Sequence, residues 1–492
     1  MKLDFASPPP QACSLEEAQS IIDAAWNAYG ELQSQHQKAT KKLSTQQEKL
    51  NTSSNNSSLP PSSDLFKKNK KKKYHGAGKS ATKKQGAQPG HKGKGRRFLP
   101  PEKVDHTVTI LPEIKCGCGA EVKINPERFK RLQQFELPKI KPIVTEYRQV
   151  YGTCSGCGSS HCGSLPAGVP SGMLAPRAIA SVGIFTGDYR LSKRAAQQLL
   201  SDFFSLPISL GTISNAEEIV SQALEKPVEE AREHVKNQPI VHADETGHKK
   251  KGKKMWMWLA ATVLVAVFII RGTRSTKEAK YLLGEKFQGI LISDRWSAYT
   301  WVKSSFRQFC WAHLIRDFIK ISERSGKAGR TGDNLLDSVK RMFRLWWRVR
   351  DGTLKRKDFI KAMKPIKKQI EKLLEEGAFC GESKTENTCK KILKSKEALW
   401  TFIENKGVEP TNNRAEQIIR SYVLWRKCSF GSQSTRGDRY IERLMTVTAT
   451  CKLQERNRYD YITSAITAYM KNELAPSLLP SEEMLAQADL AA

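Results

Sequence analysis

From Leu15 to Leu50 apolar residues return at intervals of seven. Leu15, Ile22, Tyr29, Leu43 and Leu50 hold one seam position, with His36 the polar member. Ala18, Ala25, Leu32 and Ala39 hold the second, with Gln46 polar. A seven-residue repeat of this length predicts one helix over 14–50 with a continuous apolar stripe, the pattern of a coiled coil. Ser14 followed by Glu17 supplies a capping-box start. The plainer partner for that stripe is the protein's own body.

The rhythm is lost in 51–101, where "NTSSNNSSLPPSSD" runs into "LFKKNKKKKYHGAGKSATKKQGAQPGHKGKGRR". Nothing there can pack, so the stretch reads as a flexible basic linker. Residues 102–166 hold a small cysteine-bearing module, in which "VTEYRQVYGTC" alternates like a strand. Residues 167–232 read as helical. "SKRAAQQLLSDFF" and "TISNAEEIVSQALEKPVEEAREHV" flank a break at "SLPISLG", which suits a helix-turn-helix or a plain helical hairpin.

From 239 to 310 the period shortens to two. "PIVHAD", "KMWMWLAAT", "LVAVFIIR", "GILISD" and "SFRQFCWAH" read as strands, with helical "TKEAKYLLGEKF" before the fourth. Residues 323–408 return to helical spacing. Leu335, Leu336, Val339, Met342, Phe343 and Trp346 form one stripe. Phe359, Ile360, Met363, Ile366, Ile370 and Leu373 form another, where Pro365 predicts a kink. Residues 409–475 continue as helix and 476–492 read as a tail. A multidomain α/β protein is expected, with an all-helical insertion at 323–408 between two parts of one core, 233–322 and 409–475.

Composition narrows the partners. Lys+Arg 82 against Asp+Glu 50 leaves a net charge of +32 on 492 residues. Residues 65–101 supply thirteen of those positive charges and no acid, so the excess is not confined to the linker. A polyanion is the natural partner, and nucleic acid is favoured over a membrane surface. The longest uncharged apolar run, Met255 to Ile270, falls short of the ~20 residues that span a bilayer. Eleven cysteines, an odd number, in a large chain suit a reducing, cytoplasmic setting.

"KCGCG" and "TCSGCG" place Cys116, Cys118, Cys154 and Cys157 as a C-x-C and a C-x-x-C pair. Each pair offers two thiolates, and four such ligands suit a closed, structural Zn²⁺ site. His161 or Cys162 offers an alternative ligand.

Asp244 ends "IVHAD" and Asp294 ends "ILISD". Three strands, a helix and a further strand, with an acid on the first and fourth strands, suit a ribonuclease H-like sheet that brings both carboxylates to one edge. Two acids hold Mg²⁺ loosely, and Glu416 in "NNRAEQIIR" is the candidate third. Phosphodiester cleavage needs an activated oxygen, an in-line leaving oxygen and charge relief, which two Mg²⁺ ions about 4 Å apart provide when carboxylates bridge them. Each acid has a plainer use as well. Asp244 can cap a turn and Asp294 can start the helix at "RWSAYTWV". Glu416 can complete a capping box with Asn413 or pair with Arg420. Glu245, beside the lysines, reads as exposed.

Together these segments resemble the transposases of the bacterial insertion-sequence-66 family, which are of the DDE type. The resemblance rests on "NNSSLPPSSD", "QPGHKGKGRR", "ELPKIKPIVTEYR", "HADET", "SDRWSAY", "CWAHLIRDF", "TNNRAEQIIR" and "WRKCSFGSQSTRG", in that order along nearly the whole chain. It implies that Asp244, Asp294 and Glu416 bind catalytic Mg²⁺ or Mn²⁺. It also implies that His313, Arg316, Asn412, Asn413 and Arg420 lie beside the site, touching phosphate or DNA, with the last three alternatively orienting the third acid. The implied partners are the element's terminal inverted repeats and target DNA, further copies of the chain, and separately encoded accessory proteins. Thr411 and Cys428 depart from the family's usual residues, and an inactive DNA-binding derivative is the alternative reading.

Overall fold

The computed structural model describes residues 11–53, 56–57, 98–169 and 172–491. Most of the basic linker therefore lies outside the described residues. In chain order the elements are α1 (Leu15–Asn51), β1 (Tyr151–Thr153), β2 (Ser160–Cys162), α2 (Pro176–Gly183), α3 (Lys193–Phe204), α4 (Leu210–Ala223) and α5 (Glu225–Lys236). The sheet region follows with β3 (Ile240–Lys250), β4 (Lys253–Ala261), β5 (Ala266–Arg271), α6 (Thr276–Leu283), β6 (Ile290–Ser293) and β7 (Arg307–Phe309). Helices complete the chain: α7 (Trp311–Ser322), α8 (Gly326–Arg350), α9 (Arg356–Gly377), α10 (Ser383–Leu393), α11 (Thr401–Glu404), α12 (Asn413–Ser429), α13 (Thr435–Leu453), α14 (Arg458–Met470) and α15 (Glu482–Ala491).

The protein is a mixed α/β chain of two compact units. The smaller takes in the cysteine-bearing stretch to Leu165 and residues Lys193–Ile213. Its hairpin β1–β2 pairs Tyr151 with Cys162. The expected strand through "VTEYRQVYGTC" forms only at its last residues. On α3, Ala196 and Leu200 are buried, and Gln197 Nε2 donates to the Ile208 carbonyl at 2.7 Å.

In the larger unit α1 is a single helix whose start is capped as the sequence predicts. Ser14 Oγ accepts from Glu17 N at 3.2 Å and Glu17 Oε2 accepts from Cys13 N at 2.9 Å. The seam residues Leu15, Ile22, Tyr29, Leu32, Leu43 and Leu50 are exposed, so the stripe is not covered by the other described residues. The end of α1 is tied down, with Glu48 paired to Lys384 and Asn56 Nδ2 donating to Glu323 Oε2 at 2.8 Å.

A five-stranded sheet in the order β5-β4-β3-β6-β7 forms the centre of this unit. Strands β3, β4 and β5 are antiparallel neighbours, whereas β6 and β7 run parallel to β3. The β3–β4 turn lies at Lys251 and Gly252, with φ of 48° and 76°, the left-handed pair a tight hairpin requires. Asp244 and Glu245 therefore sit inside β3, well before the hairpin tip.

Helices α12 and α13 cover one face, burying Leu259, Phe268, Ile419, Tyr422 and Met445 in one cluster. The helices from α7 to α11 build a second core around Trp311, Phe318, Met342, Phe359 and Phe402. Helix α9 runs unbroken through Pro365, where the sequence predicts a kink. The expected tail carries α15.

Edge strand β5 is capped by side chains of α13. Phe268 N donates to Thr446 Oγ1 at 3.0 Å and Ala266 N to Thr450 Oγ1 at 3.1 Å, while Ile270 N donates to Glu442 Oε1. The three acceptors recur every four residues, one helical face, and meet alternate strand N–H groups that would otherwise invite another chain. Burial pushes the Glu442 carboxyl up to about 7. A carboxyl held neutral favours the folded state at low pH, and that advantage is lost as pH rises through 4.5 toward 7. Glu442→Gln keeps the acceptor without the charge. It should leave stability at pH 4 unchanged and add about 3 kcal/mol at pH 8 in urea unfolding.

Candidate active site

Cross-strand partners share a face, and Asp244 pairs with Leu259, which packs under α12 and α13. Glu245 pairs with Trp258 and points the other way. Parallel pairing sets His242 opposite Ile292. Two residues further along each chain, Asp244 and Asp294 stand level just beyond the end of β6. Glu416 projects from the first turn of α12 on the same face.

The charges of this group act on one another. Burial pushes the Asp244 carboxyl well above its ordinary value, and the charges of Glu245, Asp294 and Glu416 push it further. Asp294 does not cap a helix, since only a single 3-10 turn forms at Ser297–Tyr299, and its Oδ1 accepts from Trp296 N at 2.9 Å in the turn before it. Hard oxygen donors brought together at one end of the sheet are a fitting cradle for a divalent cation.

Glu245 is not exposed, contrary to expectation. Its side chain is 0 % exposed and is gripped by Arg274, whose Nε donates to Oε1 at 2.6 Å. Tyr299 Oη donates to Oε2 at 2.6 Å. Arg274 also reaches Asp294 Oδ2 at 3.7 Å and stacks over Trp296, 3.9 Å from its ring centre. This support for the acids escaped sequence reading, because Arg274 lies in a loop 29 residues away from its partner.

Asn412 is 1 % exposed and has no surface left for DNA. Its Nδ2 donates to the Ala243 carbonyl at 2.8 Å and its Oδ1 meets His242 Nδ1 at 3.0 Å. Burial pushes His242 down to about 4, so its ring is neutral. Asn412 thus clamps the start of α12 to β3. Asn413 and Arg420 are exposed on α12.

His313 and Arg316 project from α7 into a cleft of about 370 Å³. Arg274, Asp294, Arg295, Trp296, Asp317 and Lys320 share its walls with Asn56 and Ser57. His313 Nδ1 lies 3.7 Å from Glu416 Oε1. Cys310, at the N-cap of α7, joins them, its Sγ 4.0 Å from the same oxygen and accepting from Asn412 N at 3.2 Å. Burial pushes its thiol up to about 11. Sequence reading passed over Cys310, although its C-x-x-H spacing to His313 at a helix start was visible.

In the smaller unit each cysteine pair forms its own turn. Gly119 N donates to the Cys116 carbonyl at 2.8 Å and Gly158 N to that of Cys154 at 2.9 Å. Ser159 Oγ and then Ser159 N draw the Cys157 thiol down to about 7. The pairs are not gathered to a point, however. Among the described residues, one group of three metal-type side chains comes within 4.8 Å, and it is Cys310, His313 and Glu416.

No described helix is long and apolar enough to cross a membrane. A profile for a family of unknown function matches residues 7–97. An uncharacterized protein, y4qI, from Sinorhizobium fredii (strain NBRC 101917 / NGR234) is 25% identical over 395 residues, covering 73% of this chain and 71% of the relative. The profile described as Transposase IS66 family matches residues 176–440, more than half of the chain and all of the elements that carry Asp244, Asp294 and Glu416. The chain belongs to the IS66 family of transposases.

Proposed function

We propose that this chain is a divalent-metal-dependent DNA transposase that binds the ends of its element, cuts them and transfers the freed 3′-hydroxyls to target DNA. Family membership already implies DNA as partner and a divalent metal. The finer reading makes Asp244, Asp294 and Glu416 the three-carboxylate site, and it is carried by one observation: the β3–β6 register sets Asp244 level with Asp294, while Asn412 bonds the start of α12, which bears Glu416, to Ala243 beside Asp244. The strand order, three antiparallel strands followed by two parallel ones, supports a ribonuclease H-like core.

When bound, Mg²⁺ or Mn²⁺ supplies charge relief at the phosphate and an activated oxygen. The chain's own residues do the rest. Asn412 fixes α12 so that Glu416 is presented to the two aspartates. Arg274 braces Glu245 and leans on Asp294. Arg316, Lys320 and Arg295 line the cleft beside the acids and are placed for phosphate oxygens. The exposed heptad seam of α1 pairs protomers so that two element ends are held together. Cys116, Cys118, Cys154 and Cys157 are the proposed structural zinc ligands, on the strength of their donor chemistry and paired turns.

The test uses labelled element ends with Mg²⁺, first intact and then pre-cut. Cleavage of the former and joining of the latter to plasmid DNA are expected. Cleavage without joining points to a nuclease. End binding with neither reaction points to an inactive derivative.

A further inference from the structure

Cys310, His313 and Glu416 present a thiol, a ring nitrogen and a carboxylate oxygen within 4.8 Å of one another. The separations from Glu416 Oε1, 3.7 Å to His313 Nδ1 and 4.0 Å to Cys310 Sγ, are close to the ~3.3–3.8 Å edges of a tetrahedron built on ordinary zinc–nitrogen and zinc–sulfur bonds. His313 Nδ1 is shut off from solvent and has no protein hydrogen-bond partner. A buried ring nitrogen facing an acid at 3.7 Å without bonding to it calls for something between them.

The backbone around the group is fixed. Cys310 N donates to the Ser293 carbonyl at 2.9 Å, His313 N to the Cys310 carbonyl at 3.1 Å and Glu416 N to the Asn412 carbonyl at 3.1 Å. Asn412 N already donates to Cys310 Sγ, the kind of contact that supports a sulfur carrying negative charge.

We propose that Cys310, His313 and Glu416 form a binding site for a borderline-soft divalent ion such as Zn²⁺, sharing Glu416 with the carboxylate site. Sulfur and imidazole select Zn²⁺ over Mg²⁺, whereas Asp244 and Asp294 offer only oxygen. Three protein ligands leave a fourth position for water or a phosphate oxygen. The entering ion displaces the Cys310 thiol proton to solvent. Zn²⁺ held by Cys310 and His313 draws Glu416 toward them and competes with the carboxylate site for its oxygens, so Zn²⁺ restrains Mg²⁺-dependent cleavage. That consequence rests on the function proposed above, whereas binding itself does not.

The full chain, Cys310→Ser and His313→Ala are equilibrated with Zn²⁺ at a fixed chelator concentration, and bound zinc is counted. Any zinc on Cys116, Cys118, Cys154 and Cys157 is common to all three proteins. The unchanged chain should hold one equivalent more than either variant. Co²⁺ substitution should add a thiolate-to-metal absorption band that Cys310→Ser lacks. Equal zinc content and equal spectra in all three proteins overturn the site. His313→Ala, at a partly exposed position, keeps the test decisive if Cys310→Ser fails to fold.

Cleavage is then read with and without micromolar Zn²⁺ as a ratio within each protein. Inhibition of about tenfold in the unchanged chain, relieved in His313→Ala, supports the shared ligand. Equal inhibition in both overturns it. An extra zinc on a chain that cuts no DNA leaves the metal site standing and removes the catalytic reading. Cleavage without the extra zinc does the reverse.

Discussion

Asp244→Asn should reduce Mg²⁺-dependent strand cleavage by roughly 10³-fold or more while leaving binding to the element ends within about twofold. The amide keeps the size of the side chain and its position on β3 and removes only the charge. Binding survives because the residues placed for phosphate, Arg316, Lys320 and Arg295, are separate from the acid. A second readout guards against a merely structural role. Burial and three neighbouring acids make the Asp244 carboxylate costly. An acid whose folded pKa is raised weakens the fold as pH climbs from its ordinary value toward the raised one. At pH 8 without metal, Asp244→Asn should therefore melt at or above the temperature of the unchanged chain, and it should lose the stabilisation that Mg²⁺ confers. A variant that melts lower and keeps the metal response places Asp244 outside the ion site.

Arg274→Met should cost about 3–5 kcal/mol, because it strands the Glu245 charge where its side chain is 0 % exposed. The substitution also removes the guanidinium stacked over Trp296, so the charge is read from the coupling with Glu245 rather than from the single loss. Tyr299 alone remains as a donor to Glu245. Adding Glu245→Gln should recover most of the loss, since a neutral amide needs no counter-charge. Urea unfolding of the two single variants and the pair gives the coupling directly. Additive losses contradict the buried pair.

How much of this was legible depended on how far apart in sequence the interacting residues lie. Asp244, Asp294 and Glu416 could be singled out as candidates because each ends or begins a periodic run, and strand periodicity alone puts Asp244 and Glu245 on opposite faces. The length of β3 was not legible. Lys249 and Lys250 look like loop, yet they continue an exposed hairpin arm to the turn at Lys251. Glu245 was read as exposed because its local neighbours are lysines, while its partners, Arg274 and Tyr299, are remote in sequence. Asn412 announced itself only as part of a motif, and that it clamps α12 to β3 follows from the fold. The acceptors of α13, Glu442, Thr446 and Thr450, look like ordinary helix positions until β5 lies beside them. The cysteine pairs were legible as pairs. Their meeting at one ion depends on chain geometry that spacing does not specify.

Crystals of the full chain soaked in Mn²⁺, with data collected at the manganese absorption edge, address the arrangement itself. The account predicts an anomalous peak within coordination distance, about 2.2 Å, of one oxygen from each of Asp244, Asp294 and Glu416. A peak held by the two aspartates with Glu416 turned away, or no peak between β3 and α12, contradicts it.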